Sequence, residues 1–438
     1  MKDRPASRFT KSIAAASLVV GLIIAGAGPA FAGGGTQGNP GGSGPGGSNS
    51  QALYVSNAPG HLSYRGQGQW GCRSTPYSTI ASAVAVAPNG STIVVCPGTY
   101  NESVTVSGKS LNLLGQGATI AVPNNAGAAS QGVVFIGPAT AGSTLRGFTI
   151  TGAGAEALYA DGTSNLTIDG NQIVRNDLSC QNDAAEAAGN DCGEGLHLDA
   201  VTNSQITNNY LTGNTGGILL TDGIPEGSTG QFAFGFYTQY AGPSFGNLIA
   251  RNTAVDNVWD CGITMPSHNA NAVSASGTPQ SAEGGVYNNT VIDNVSVGNG
   301  TLDGGGAGIL VAAPFPGTGS YNNVIKHNFV VGNGLAGVTI HSHAPDQDVN
   351  GNQIIGNFVG TNALAGAAGG TPGDVDFDAL GTIGILVGSV SPVTGTVIAG
   401  NVIRNNQTGI WTTNNVSGDF THNFFANDTV AISQLNLP

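Results

Sequence analysis

The sequence predicts an all-β fold: a single-stranded right-handed parallel β-helix, a solenoid with a short N-terminal capping helix. Three observations carry this. An aliphatic residue, or Phe420 once, is followed three positions later by an asparagine, at Asn171, Asn209, Asn252, Asn294, Asn328, Asn357, Asn401 and Asn423. A second asparagine follows five residues on, at Asn176, Asn214, Asn257, Asn299, Asn333, Asn362 and Asn406, and slips to Asn427 in the last copy. A Gly-aliphatic step then opens another apolar alternation, at Gly195, Gly217, Gly262, Gly308, Gly337, Gly384 and Gly409. The shortest repeat, from Asn401 to Asn423, is 22 residues, a length that signals stacked supersecondary units. Period-2 alternation broken by Asn and Gly reads as three short strands per unit. One such unit cannot bury its apolar face alone, whereas a stack shares a continuous core. Asparagine is expected at the bends because it tolerates left-handed backbone, and amides one coil apart can bond one another as a ladder.

The flanking elements follow in order. Residues 1–32 read as a secretory signal peptide, with a basic start, the apolar run Ile13–Ala27 and the small-x-small site Ala30-Phe31-Ala32. The expected location is extracellular, with cell-surface association open; no later stretch resembles a membrane span. Residues 33–51 are a Gly/Ser/Pro linker without core-forming residues. Residues 52–130 are expected to form the N-terminal cap and first coils. Within them Tyr77–Ala87 reads as a short amphipathic helix covering the first open edge, which would otherwise invite association. Coils are expected through 131–438, the shorter last one closing the C-terminal end. Five cysteines follow the leader. Cys72 is paired with Cys96 and Cys180 with Cys192, which leaves Cys261 free and buried. The net charge is −13, and removing the leader's four basic and one acidic residues brings it to −16 with eight basic residues left. That balance excludes nucleic acid as a partner. The mature chain is expected to be monomeric.

The cap sequence PNGSTIVVCPGTYNESVTV and the N-x-I-x-x-N-x-x-x-x-N…G-I repeats resemble the pectate-lyase-like right-handed β-helix superfamily. More narrowly they are similar to secreted parallel β-helix repeat proteins with carbohydrate-binding and sugar-hydrolase (CASH) and NosD-like domains. The resemblance covers residues 52–438. It implies the fold and a carbohydrate setting shared by lyases, glycoside hydrolases, epimerases and adhesins. It carries no catalytic residue across, because the matching positions are structural.

Chemistry is sought where the strand after each Gly step turns side chains outward. Aligning the coils on that step places His197 and Asp199 on an outer strip, with Thr339 and His341 further along and Trp411 near its end. Asp222, His268 and His343 follow just past their strands. Four of the seven histidines in the chain thus collect on one side. Asp199 and Asp222 lie on adjacent coils and are the expected carboxylate pair for acid/base cleavage of a polysaccharide, with a histidine to transfer a proton. The insertion at 231–240, with Phe232, Phe234, Phe236, Tyr237 and Tyr240, reads either as a sugar platform or as a hairpin packed on the flank; Trp411 is a second stacking candidate. A lyase acting on polyuronates fits less well, since no Lys or Arg aligns with the strip.

Calcium is the cofactor the sequence admits. Asp346, Asp348 and Asn350 match the opening of a calcium loop, although Asn357 stands where a glutamate is expected. The alternating Asp374, Asp376 and Asp378 offer another cation site, and His341-x-His343 offers imidazoles suited to copper or zinc. The function read from the sequence is a secreted protein that binds a largely neutral polysaccharide, with its cleavage by acid/base chemistry left open. A non-catalytic surface scaffold or adhesin, and a copper-handling protein, are the alternatives.

Overall fold

The computed structural model describes residues 52–57, 72, 75–123, 130–179, 194–224, 239–302, 306–342, 345–362 and 381–435. The expected leader, the Gly-rich stretch at 33–51, the Cys180–Cys192 insertion and the aromatic insertion before Gln239 fall outside them. The described strands form a parallel β-helix. A 21-stranded sheet supplies two strands per coil over most of the stack, an 11-stranded sheet supplies the third, and three two-residue strands make a small additional sheet. All inter-strand pairings in these sheets are parallel, each strand joining its equivalents one coil before and after. Period-2 burial follows. Ile168, Ile206, Ile249, Val291, Ile325, Ile354 and Ile398 stack inward as one fully buried column.

The asparagine repeat becomes hydrogen-bonded ladders. In the first, each amide Nδ2 donates to the next Oδ1 at 2.9–3.0 Å from Asn171 to Asn423. That same Oδ1 accepts the backbone N–H of the preceding rung, so a side chain satisfies a strand end at every bend. The second ladder runs from Asn176 through Asn362 and ends on Asp428, which accepts from Asn406. The expectation of Asn427 is thereby corrected. A third ladder, which the repeat pattern did not reveal, joins Asn247, Asn289, Asn323 and Asn352.

The left-handed residue is also not the rung. It is the residue before it: Asn208, Arg251, Asp293, His327 and His422 in the first series, and Asn427 before Asp428. The rung asparagines were expected there, but their task is to satisfy backbone groups. Because the rung follows the left-handed residue, the final Asn-Asp pair shifts the rung to Asp428.

At the N-terminal end the helix is Ile80–Val86, shorter than Tyr77–Ala87, and buries Ile80, Ala83 and Val84. Thr79 caps it, and the Glu102 carboxylate accepts from Ile80 N and Ala81 N at 2.8 and 2.9 Å. Lys109 Nζ closes the other end on the carbonyls of Val84 and Ala87 at 2.8 and 2.9 Å. Both charges suit the helix dipole. Cys72 and Cys96 form the expected disulfide, and Cys261 is a free buried thiol.

The C-terminal coil differs from expectation. Its side chains are exposed, with Val430, Ile432 and Leu435 at 40–44%, so among the described residues they are less covered than their equivalents Thr408 and Ile410 one coil earlier. Among the described residues no helix is long and apolar enough to cross a membrane.

Candidate functional site

The outer face of the 11-stranded sheet carries the candidate site. Strand Leu158–Asp161 pairs in register with Glu194–Asp199, setting Tyr159 beside His197 and Asp161 beside Asp199. Inward positions are Leu158, Ala160, Leu196 and Leu198, all fully buried. Period 2 therefore turns Tyr159, Asp161, His197 and Asp199 outward as a two-by-two grid.

His197 is held from both nitrogens. Nδ1 lies 3.3 Å from Glu156 Oε1 and Nε2 lies 3.1 Å from Asp199 Oδ1. The Tyr159 ring meets the imidazole edge-on at 5.4 Å, and its hydroxyl bonds to Asp199. Gln131 Nε2 donates to the second Glu156 oxygen at 2.9 Å. Burial works to raise the Glu156 carboxyl, but the His197 hydrogen bond and charge outweigh it and hold the group below its ordinary range. Burial, then the Asp199 and Asp161 charges, raise Tyr159.

Asp161 behaves oppositely to Glu156. Burial and the neighbouring Asp199 carboxylate push it up to about 7, against the pull of hydrogen bonds from Gln239 and Tyr240. Gln239 N donates to Asp161 Oδ2 at 2.7 Å, while Asp161 Oδ1 is buried without a hydrogen-bond partner. Tyr240 lies against Gly137 and Gly162, where a Cβ would approach it to 2.5 and 2.3 Å, so glycine is required at both positions for this segment to pack. Of the aromatic insertion, Tyr240 is thus packed on the flank; Phe232, Phe234, Phe236 and Tyr237 lie outside the described residues.

The expected pair of Asp199 with Asp222 is corrected by the register. Asp199 pairs with Thr221 on the next coil, one residue short of Asp222. Asp222 is fully buried and accepts from Ser267 Oγ at 2.7 Å, His268 N at 2.5 Å, Asn269 N at 3.1 Å and Gly285 N at 2.6 Å. Four donors make it the anchor of the 267–285 loop. His268 stays near the strip through Thr221 Oγ1, 3.2 Å from its Nδ1. His341 stands on the same sheet four strands beyond His197, roughly 19 Å away at ~4.8 Å per strand, and does not join the cluster. His343 lies outside the described residues.

Trp411 has the expected outward register, pairing with Leu386, but it is 1% exposed and packs with Ala336, Ile383 and Leu386. It offers no face to a sugar ring. The calcium-loop residues are likewise spent elsewhere. Asp348 Oδ1 accepts Asn350 N at 2.8 Å, and Asn350 Oδ1 accepts Thr394 N at 2.7 Å, tying the turn to the next coil. Asp346 is exposed at a left-handed position. Among the described residues no group of three His, Cys, Asp or Glu side chains is placed to hold a metal ion. Asp374, Asp376 and Asp378 lie outside them.

Glu156, Tyr159 and Asp161 were missed because their coil opens on Ala157 where the others have glycine. The signal was nonetheless present, since Ala157–Asp161 (ALYAD) aligns with Gly195–Asp199 (GLHLD) position by position.

Comparison with solved structures finds similarity at low identity to several proteins. The A-module of mannuronan C-5 epimerase AlgE4 from Azotobacter vinelandii aligns over 82% of this chain and 94% of that one, at 14% identity and a TM-score of 0.49. An alginate lyase from Paenibacillus sp. str. FPU-7 aligns over 80% and 95%, at 14% identity and 0.38. The pectate lyase Pel9A aligns over 80% and 78%, at 16% identity and 0.36. Comparison with curated proteins finds no match. The family model described as right handed beta helix region matches residues 102–372, more than half of the sequence. The chain belongs to the right-handed β-helix family.

Proposed function

We propose that this is an exported polysaccharide-acting enzyme whose acid/base pair is Asp161 and Asp199. The observation that carries the reading is their register. Two carboxyls on adjacent strands, about 5 Å apart by strand spacing, match the separation used for glycoside hydrolysis with retention. Asp161, pushed up to about 7, holds a proton near neutral pH, the state a general acid needs. Asp199, hydrogen-bonded by His197 and Tyr159, is the carboxylate that attacks the anomeric carbon. Glu156 fixes the His197 ring by its Nδ1 contact. A neutral glycan suits the site. The net charge is −13, and the described Lys and Arg side chains lie off this sheet, five of them on the 21-stranded sheet or its turns and Lys109 at the helix.

Burial favours a second reading. His197, Asp199 and Asp161 are only 4%, 2% and 1% exposed, as a purely structural network in a non-catalytic scaffold would be. One experiment separates the two. The mature chain, residues 33–438, is incubated with neutral and acidic polysaccharides, following reducing ends and unsaturated products together. Hydrolysis lost by ~10²–10⁴-fold in both Asp161→Asn and Asp199→Asn supports the enzyme. Unsaturated product, or silence from folded protein, overturns it.

A further inference from the structure

We infer that residues 239–242 are a strap that lies closed over Asp161 and, on the reading of Asp161 and Asp199 as the catalytic pair, turns about the bridge between Gly223 and Gly242 to admit the glycan. The pair needs such a movement, since Asp161 and Asp199 are 1% and 2% exposed and a polymer must reach both. One end of the strap is pinned. Gly223 N donates to Gly242 O at 2.8 Å and Gly242 N donates back to Gly223 O at 3.3 Å, an isolated antiparallel bridge. Asn269 Nδ2 donates to Gly223 O at 2.9 Å, which ties the bridge to the loop anchored on Asp222. Beyond the bridge Ser244–Phe245 enters the small parallel sheet, and Ser244 Oγ donates to Thr221 O at 2.6 Å.

The other end is held on the pair itself. Gln239 N donates to Asp161 Oδ2 at 2.7 Å, and the Tyr240 backbone adds to the same pull. The Tyr240 ring rests on Gly162 and Gly137, and residues 239–241 belong to no strand, with Gln239 and Ala241 exposed. Lifting the strap thus breaks a hydrogen bond and a ring contact, not a sheet edge. The closed state carries a cost of its own. Asp161 Oδ1 is buried without a hydrogen-bond partner, and the neighbouring Asp199 carboxylate repels an ionised Asp161. Opening lets water reach both. The titratable groups facing Asp161 are Asp199 and His197 on the next strand, Tyr159 on its own strand, Glu156 behind His197 and the Tyr240 phenol on the strap; the paired strand Val133–Ile136 brings none. Closed, Asp161 keeps its proton up to about 7, whereas a hydrated carboxyl releases it near the ordinary 3.8. Protonation therefore favours the closed strap, and closure weakens as pH rises from about 4 to 7.

Amide hydrogen exchange of residues 33–438, read by mass spectrometry and corrected for the intrinsic effect of pH, tests this. Peptides covering residues 239–242 should lose protection at least ~10-fold between about pH 5 and pH 7.5, while the strand Leu248–Ala250 keeps its own. Asp161→Asn should abolish that dependence. Gly162→Ala, whose methyl would meet Tyr240, and Tyr240→Ala, which removes the ring, should each open the strap at least ~10-fold at about pH 5. Tyr240→Ala keeps the test valid should Gly162→Ala disturb the neighbouring Asp161. Protection equal to that of Leu248–Ala250 at every pH, or a strap indifferent to Tyr240→Ala, would overturn the inference. An opening strap in a chain that hydrolyses no glycan supports the movement and defeats the catalytic reading; hydrolysis beneath a strap that never opens does the reverse.

Discussion

Asn328→Ala is expected to destabilise the solenoid severely, and the structure sets the size. Oδ1 of Asn328 accepts Asn294 N at 2.9 Å and Asn294 Nδ2 at 3.0 Å; its own Nδ2 donates to Val291 O at 3.0 Å and Asn357 Oδ1 at 2.9 Å. Alanine removes all four. Asn294 Nδ2 keeps Ile249 O, and Asn357 Oδ1 keeps Asn328 N, so those two groups stay satisfied. The Asn294 backbone N–H does not, and the site is 1% exposed, with no water to replace the lost acceptor. One orphaned buried N–H costs about 1–3 kcal/mol and the three remaining bonds about 1 kcal/mol each, for a total of roughly 4–6 kcal/mol. Asn423→Ala is the internal control. It removes the acceptor of Asn401 and a donor to Ile398 O, but the residue is half-buried on the last coil, where water can substitute. About 1 kcal/mol is expected there. Urea unfolding of both variants measures the difference. Equal losses, or less than about 1 kcal/mol at Asn328, would refute the view that rung asparagines act by satisfying dry backbone groups.

Three further outcomes are expected. Asp161 carries a carboxyl raised from 3.8 to about 7, so the folded state binds the extra proton; stability should fall as pH rises from about 4 to 7, and Asp161→Asn should flatten that slope in a pH series of urea melts. Lys109→Met leaves the carbonyls of Val84 and Ala87 without their ammonium donor and should cost about 1–2 kcal/mol, read by loss of protection of the helix amides in hydrogen exchange. Trp411→Ala should cost about 3–5 kcal/mol by cavity formation in thermal or chemical melts, and it should leave binding of any glycan unchanged, because the ring is buried against Leu386 and Ile383.

The fold was legible because its signals are local and repeated. An aliphatic residue and two asparagines at fixed offsets recur in almost every coil, followed after a loop of varying length by the glycine step, and each marks one bend or one inward position. The outward register of His197, Asp199, His341 and Trp411 followed from the same counting. What lay outside reach was what covers those outward positions. Trp411 and Asp222 each occupy a site the repeat makes outward or loop-like, yet both are buried by packing or by the 267–285 loop, and no periodicity encodes that. The partner of Asp199 was missed for a narrower reason. Coils were aligned on glycine, and the coil bearing Tyr159 and Asp161 starts on alanine. Aligning on the aliphatic residue would have set Leu158 with Leu196 and brought Asp161 forward.

The ladders have a consequence for how this molecule can change length. Every rung presents the same acceptor to the coil before it and the same donor to the coil after it. Asn294 and Asn328 are 34 residues apart in sequence and interchangeable in what they offer their neighbours. Excising that interval as one block would hand Asn294 the partner Asn328 now has, with the strands of both large sheets still meeting in register. A deletion within Asn323 to Asn333, the run that carries the rungs of all three ladders in one coil, would instead break their spacing. Coils are therefore units of inheritance in such a chain, gained or lost whole, while the loops between rungs vary freely in length.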